Sequence, residues 1–433
     1  MGPIEVALIL LVSFFVLVLI RVPISFALGL ATVPIFLLHE QLTISLLFTE
    51  MFKAYNSFLL LAVPFFLLAA NLMNAAGITD RLIQFAKTMV GHLPGGLGHV
   101  NILVSMLFAG ISGSSTADSA GIGAIMIPAM KKEGYDTSVS VAITSCSSVM
   151  GVIIPPSVLM IIWGGVMSVS IGGLFLAGVI PGIAIGLSMM VAVYIYAKRR
   201  GYPKYPLASV KAFFSAMGNA FLPLMTPVII VGGIAGGFFT PTEASLVAVF
   251  YSLILGVLVY RKLDRTGVMQ VFYESARFAA IALFAVGTAS AFAFLLAFFK
   301  VPEALISQVA NLQMGFIGTG LMVAACFLLI GMFIDAIPAI IILGTVLWPV
   351  AEVVGYHPIH FAIIGVVSLA FGLVTPPYGL CLLITCAIGE IKVVDALKDV
   401  FIILIPMLIV LLLIILLPDV ILWLPKWLMD GIS

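Results

Sequence analysis

Ser147-Ser148-Val149-Met150-Gly151-Val152-Ile153-Ile154-Pro155-Pro156-Ser157 cuts a long apolar run in two, and Leu373-Val374-Thr375-Pro376-Pro377-Tyr378-Gly379 cuts another 221 residues later. Each proline removes an N–H and frees the carbonyl one turn earlier, so a helix carrying a Pro-Pro pair breaks there. The register extends outward from these breaks. Gly110, Gly123, Pro128, Gly134, Tyr135 and Gly151 return as Gly331, Gly344, Pro349, Gly355, Tyr356 and Gly372, at the same offset and without a gap. Most of the matched residues break or bend helices. A duplicated chain that keeps its breakers in register points to a membrane transporter with two broken half-sites near mid-membrane.

The composition names the solvent. Hydrophobic residues make up 63% of the 433 residues and charged residues 9%. Many apolar runs reach the length that about 30 Å of hydrocarbon demands. The net charge of +1 decides nothing, since in a bilayer the placement of charge matters more than its sum. No nucleic-acid partner is expected.

The runs fit an all-α membrane protein with about ten crossings, two re-entrant hairpins and two Pro-Pro-broken helices. The crossings are Pro3–Ile20, Val22–Leu38, Asn56–Ala76, Thr137–Ser168, Gly173–Ala197, Ala220–Gly236, Thr242–Tyr260, Ser275–Phe299, Pro358–Gly389 and Val400–Leu417. Thr137–Ser168 and Pro358–Gly389 are the broken ones. Gly98–Met130 and Gly315–Val350 are too long for one span and carry breaks at Gly110–Ser115 and Gly331–Ile337, which predicts hairpins that enter and leave on one side. With these assignments every Lys and Arg except Lys53, Lys300 and Lys426 falls on one side. By the positive-inside rule that side is cytoplasmic and both termini are external. The two halves are then inverted copies.

Five segments follow. Residues 1–96 and 201–314 form a scaffold, the second part beginning with a linker; 97–200 and 315–417 carry the hairpins and broken helices; 418–433 is an external tail. Leu42–Lys53, Asp80–Val90, Leu263–Tyr273 and the end of the Lys198–Gly218 linker, with Phe213 and Phe214 on one face, read as interfacial surface helices. The first segment is not expected to be a cleaved signal peptide, because Glu5 rather than basic residues flanks it. Cys146, Cys326, Cys381 and Cys386 lie in apolar segments with neither metal nor redox spacing.

Chemistry concentrates at the breaks. Only Asp118 and Asp335 of the acidic residues fall at membrane depth in this reading, and an intramembrane carboxylate is functional by default. Asp335 corresponds by the offset to Ser114, so the two tips differ chemically. The first tip presents Ser112, Gly113, Ser114, Ser115 and Thr116, a run of hydroxyls on a backbone that can turn tightly. Hydroxyls and unwound carbonyls are hard ligands for an alkali cation, and half-helix N-termini attract an anion. The break at Pro155 and Ser157 faces the first tip. Thr375, Pro376 and Gly379 face the second, at Gly331 and Asp335. Substrate contacts are expected from Ser112, Ser114, Ser157 and Asp335. Asp118 is read either as an ion ligand or as a brace for the loop. Close packing of small residues, and a capping role for Asp335, are the structural alternatives.

These residues resemble the large membrane subunit (M subunit) of the tripartite ATP-independent periplasmic, or TRAP, transporters. The likeness covers nearly the whole chain and is most specific at Gly110–Asp118, Pro155–Ser157, Gly331–Asp335 with Pro338, and Gly372–Gly379. It implies an elevator-type secondary transporter of the bacterial inner membrane, driven by sodium and needing no other cofactor. It also implies a small membrane subunit (Q subunit) and a periplasmic substrate-binding protein (P subunit) as partners. The substrates would be organic acids such as C4-dicarboxylates, keto acids or sialic acids. One position departs from the pattern: Cys381 stands where the family places an asparagine, and no role is carried to it. A symporter acting without a binding protein is the nearest alternative. An intramembrane serine protease at Gly110-Ile111-Ser112-Gly113 is a distant one, because no histidine falls at the depth of Ser112. The chain is not expected to be an enzyme.

Overall fold

The computed structural model describes residues 2–39, 42–304, 306 and 314–429. Among them all regular structure is helical. Helices α1 (Pro3–Leu19), α2 (Ile24–Leu38), α3 (Ile44–Tyr55) and α4 (Ala62–Ala75) open the chain, and α5 (Ile78–Val90) leads into a helical hairpin, α6 (Gly96–Ser112) and α7 (Ser115–Lys132). Helices α8 (Thr137–Ser148) and α9 (Val158–Met167) flank the first Pro-Pro break, and α10 (Ile171–Arg200) follows. The same order comes again: α11 (Val210–Ala235), α12 (Pro241–Leu253), α13 (Arg265–Phe298), the hairpin α14 (Phe316–Gly331) and α15 (Ala336–Val353), the broken pair α16 (Pro358–Gly372) and α17 (Leu380–Gly389), then α18 (Val393–Leu416) and α19 (Pro418–Leu428). The last four residues of the expected external tail lie outside the described residues.

Seven helical stretches among the described residues are long and apolar enough to cross a membrane: those built on α4, α10, α11, α12, α13, α15 and α18. Helices α1 and α2, of 17 and 15 residues, and the halves of both broken crossings are shorter.

Local chemistry sets the starts. Ser114, Ser157, Ser170, Ser209, Thr240 and Asp264 each accept a backbone N–H of the first turn, which satisfies a donor with no partner inside the helix. Two of these caps correct expectations. Ser209 starts α11 and Asp264 starts α13, and neither helix stops again before crossing, so the linker helix and Leu263–Tyr273 are the first turns of long helices rather than separate surface elements. Gly218 alone does not end α11, since an interior glycine costs only about 1 kcal/mol. Expected surface helices at Leu42–Lys53 and Asp80–Val90 do stand alone, as α3 and α5.

Packing divides the helices into two groups. Helices α1 to α4, α12 and α13 form one group, though α13 also packs on α15 as extensively as on α4. The hairpins, broken helices, α10 and α18 form the other group, and the two halves interleave there. Helix α17 packs on α7 and α8, and α9 packs on α15 and α16. The contact is close. A Cβ at Gly123 would stand 3.1 Å from Ile388 Cδ1, and one at Gly365 would stand 2.3 Å from the Trp163 ring. Each half therefore lends its second half-helix to the hairpin of the other.

Candidate functional site

The first tip is a two-residue turn. Gly113 ends α6 in the left-handed region at φ +63°, and Ser114 starts α7 by accepting the Ala117 N–H at 3.4 Å. A side chain at 113 would meet Pro156 O at 2.8 Å, so only glycine lets the tip approach the break. The two are hydrogen-bonded directly, Val158 N–H donating to Gly113 O at 3.2 Å. Ser115 Oγ reaches Val149 O at 3.4 Å. Ser157 donates to Val152 O at 2.6 Å, which satisfies one carbonyl left open by the break. Ser114 and Thr116 pair at 3.1 Å on the more accessible side.

Asp118 lies beneath this tip and is fully buried. One of its oxygens accepts the Ser112 hydroxyl. The other, Oδ2, has no partner, and a Cβ at Gly151 would stand 2.5 Å from it. Burying a carboxylate oxygen without a donor costs several kcal/mol by order of magnitude, which leaves Oδ2 as an unpaired acceptor at the tip. Behind it runs a ladder of buried hydroxyls: Ser119 donates to Ser148 at 2.6 Å, and Ser105 to Ser147 at 2.8 Å.

The second tip is built otherwise. Residues Met332–Ile334 turn without a run of hydroxyls, and Asp335 is the N-cap of α15, its Oδ1 accepting the Ala336 N–H at 2.8 Å. The tie to the break recurs as Tyr378 N–H to Met332 O at 2.9 Å. Gly372 and Gly331 touch backbone to backbone, since a Cβ at 372 would lie 2.6 Å from Gly331 C. Thr375 Oγ1 donates back to Phe371 O at 2.7 Å, and Gly379 takes φ +44° to start α17. Both breaks contain a cis Pro-Pro bond, Pro155-Pro156 and Pro376-Pro377.

The expected residues thus fall into two clusters: Ser112 to Thr116 with Asp118, Pro155 and Ser157, and Gly331 and Asp335 with Thr375, Pro376 and Gly379. Ser157 points back to its own break rather than toward the accessible side. Asp335 has the capping geometry, and its second oxygen is left for other contacts. Cys381, left without a role, is fully buried on α17 beside Ser119 and Ser148. No histidine partners Ser112 among the described residues; its hydroxyl is committed to Asp118.

A second buried carboxylate was missed. Asp399 is 5% exposed, accepts the Ser138 hydroxyl at 2.6 Å and the Tyr196 hydroxyl, and has Arg200 Nη2 at 3.8 Å. The expected crossing began at Val400, but α18 starts at Val393, where Asp395 reaches back to the Lys392 N–H at 3.3 Å. That Lys-x-x-Asp spacing is the signal that could have placed Asp399 inside the helix. Nearby, outside the spans, hydrogen bonding from Tyr202 and Arg200 holds the Asp136 carboxyl below its ordinary range, while burial pushes the Tyr202 hydroxyl up to about 12.

Comparison with known proteins agrees with this architecture. Residues 11–420 match the family model described as the DctM component of the tripartite ATP-independent periplasmic transporters. The chain is 38% identical to the sialic acid TRAP transporter large permease SiaM of Vibrio cholerae, over 93% of this chain and 95% of that one. It is 36% identical to the C4-dicarboxylate TRAP transporter large permease DctM of Pseudomonas aeruginosa, over 93% and 94%. In fold it is similar to the YdaH transporter of Alcanivorax borkumensis, with a TM-score of 0.60 at 15% identity over 87% of this chain and 89% of that one. The chain belongs to the DctM component family of the tripartite ATP-independent periplasmic transporters, the large multi-pass permease that works with a small permease and a periplasmic binding protein.

Proposed function

We propose that the chain carries a small organic acid anion inward across the bacterial inner membrane, coupled to sodium, by an elevator motion. The substrates in the names of its relatives, sialic acid and C4-dicarboxylates, set the class. The observation that carries the reading is the pair of tip-to-break junctions. Each is tied by one backbone hydrogen bond and each has a carboxylate beside it, one with a buried free oxygen. Sodium ions organise the two tips, and the substrate carboxylate then binds between them near Ser112, Ser114 and Asp335. The hairpins, broken helices, α10 and α18 slide as one body against a frame of the remaining helices. Ten crossings with both termini outside supply the inverted repeat that this motion uses.

The energetics favour two ions. Two sodium ions with one monoanion move net charge +1, worth about 2.3 kcal/mol per 100 mV. A tenfold sodium gradient adds about 1.4 kcal/mol per ion. The sum, roughly 5 kcal/mol, concentrates substrate more than about a thousandfold. One ion leaves a monoanion electroneutral and gives only about tenfold. The test is uptake into proteoliposomes holding this chain, the small permease and the binding protein. Uptake that runs undiminished without sodium overturns the coupling, and wild-type rates in Asp335→Ala and Ser114→Ala overturn the site.

A further inference from the structure

A cavity of about 270 Å³ lies away from both tips, where the end of α9, the start of α10, α15 and the start of α16 meet. In the topology proposed above this is the external face. Each half of the chain supplies one side: Trp163 and Ser170 come from the first, Trp348 and His357 from the second. The walls are aromatic. Trp163 packs on Phe327 and Phe361, ring centroids 5.5 and 5.6 Å away, and Trp348 packs on Phe361 at 5.4 Å.

The polar groups in these walls are donors in want of an acceptor. An indole N–H can only donate. Trp163 is 0% exposed, and among the described residues neither its indole nor that of Trp348 makes a hydrogen bond. His357 Nδ1 accepts the Ile359 N–H at 3.2 Å, so the neutral imidazole carries its proton on Nε2. Burial and the Lys426 charge both push His357 below its ordinary range, which favours that form. No carboxylate lines the cavity. Ser170 and His357 are the N-caps of α10 and α16, whose positive dipole ends face an anion favourably. Helix α9 also ends here, so the dipoles partly cancel and the side-chain donors decide the sign. The other face of the repeat is filled differently. His357 corresponds by the 221 offset to Asp136, the N-cap of α8, a carboxylate already paired with Tyr202 and Arg200.

We propose that this cavity is an outer subsite for a small organic acid anion, its carboxylate taken by the N–H groups of Trp163, Trp348 and His357 and its carbon skeleton by the aromatic walls. Such a pairing of apolar walls with a few convergent polar groups is how pockets hold small ligands. Helix α9 begins beside the first break, at Ser157, and its ten residues reach the cavity after about 15 Å. The subsite is therefore a holding place one half-helix outside the tips. It rests on the organic-acid reading above and adds a second station for the same class of ligand.

Tryptophan fluorescence tests it without transport. The chain with its small permease is placed in sodium-free nanodiscs, and Trp423→Phe/Trp427→Phe leaves Trp163 and Trp348 as this chain's tryptophans. A variant that also carries Trp163→Phe/Trp348→Phe gives the blank. Succinate and N-acetylneuraminate are the probes. At least one should give a saturable change, weakened about tenfold or more by His357→Leu and kept within about twofold by Asp335→Ala. No saturable change with either acid, an unweakened one in His357→Leu, or its loss in Asp335→Ala overturns the subsite. A change produced by phosphatidylglycerol in place of phosphatidylcholine, with none from the acids, assigns the donors to lipid headgroups and also overturns it. In uptake by the complete complex, Trp348→Phe keeps a ring against Phe361 and should raise KM about fivefold or more with kcat within about twofold. An unchanged KM overturns the subsite. Uptake that ignores sodium counts against the transport reading alone, because the fluorescence change needs neither sodium nor transport.

Discussion

The two hairpin tips share a backbone and differ in chemistry. Both carry a cis Pro-Pro break 221 residues apart, and both tie tip to break by one backbone hydrogen bond. The first tip hides its carboxylate below the turn, where Asp118 holds Ser112 and keeps one oxygen free. The second places its carboxylate in the turn itself, where Asp335 caps a helix. The two tips share what the backbone requires and differ in the side chains they carry. In the sodium-coupled reading, the first tip contributes a cage and the second a polarised helix end, so the two cradles bind unequally.

Substitutions separate these roles. The largest effect is expected at Asp118. Asp118→Asn removes the charge that faces the buried space, and hydrogen bonds to charged groups are worth about 1.5–3 kcal/mol. Sodium affinity measured from uptake should fall about 10- to 100-fold. An unchanged sodium dependence would show that Asp118 only braces the loop.

Next come the glycines under each tip. Gly151→Ala pushes first on the Asp118 carboxylate, at 2.5 Å, and also on the Ser114 backbone, at 2.9 Å, whereas all the nearest atoms to a Cβ at 372 are Gly331 backbone, the first at 2.6 Å. Overpacking costs about 1–3 kcal/mol. Because backbone yields less than a side chain, Gly372→Ala should lower thermal stability more, while Gly151→Ala should weaken sodium dependence more. Equal effects on both readouts would erase the contrast between a chemical and a structural junction.

At Asp335 the alanine and asparagine variants are expected to part. Asparagine keeps the cap, and loss of a cap costs about 1 kcal/mol. Asp335→Ala should therefore melt lower than Asp335→Asn, with both losing uptake. Full uptake in Asp335→Asn would leave Asp335 as a cap alone.

The smallest effect is expected at Asp136, away from both tips. Tyr202 and Arg200 lower its folded-state pKa, so its contribution to stability is present above the unfolded value of about 3.9 and is lost as pH falls through the depressed folded value. In acid melts, wild type should lose its advantage over Asp136→Asn only below the ordinary carboxylate range. A constant gap across that range would argue against the linkage.

Much of this was legible in the sequence because helix breakers are local. Pro155-Pro156, Pro376-Pro377 and the Gly-rich first tip announce themselves without tertiary context. The interleaving of α9 and α17 was not legible. It depends on which apolar faces meet, and near-uniformly apolar helices carry little periodic signal. Asp399 was missed for the opposite reason. Its neighbours Lys398 and Asp395 look like a loop, and only the cap at Lys392 shows that the helix has already begun. The Ser112–Asp118 pair joins residues on both sides of a turn, which spacing alone allowed but did not select.

The claim that both tips hold sodium is tested most directly by the coupling ratio. Reversal potentials measured in proteoliposomes of the complete complex, with substrate and sodium gradients opposed, report ions moved per anion. At least two sodium ions per monoanion are predicted for the wild type. A ratio of one or less would contradict the two-cradle account.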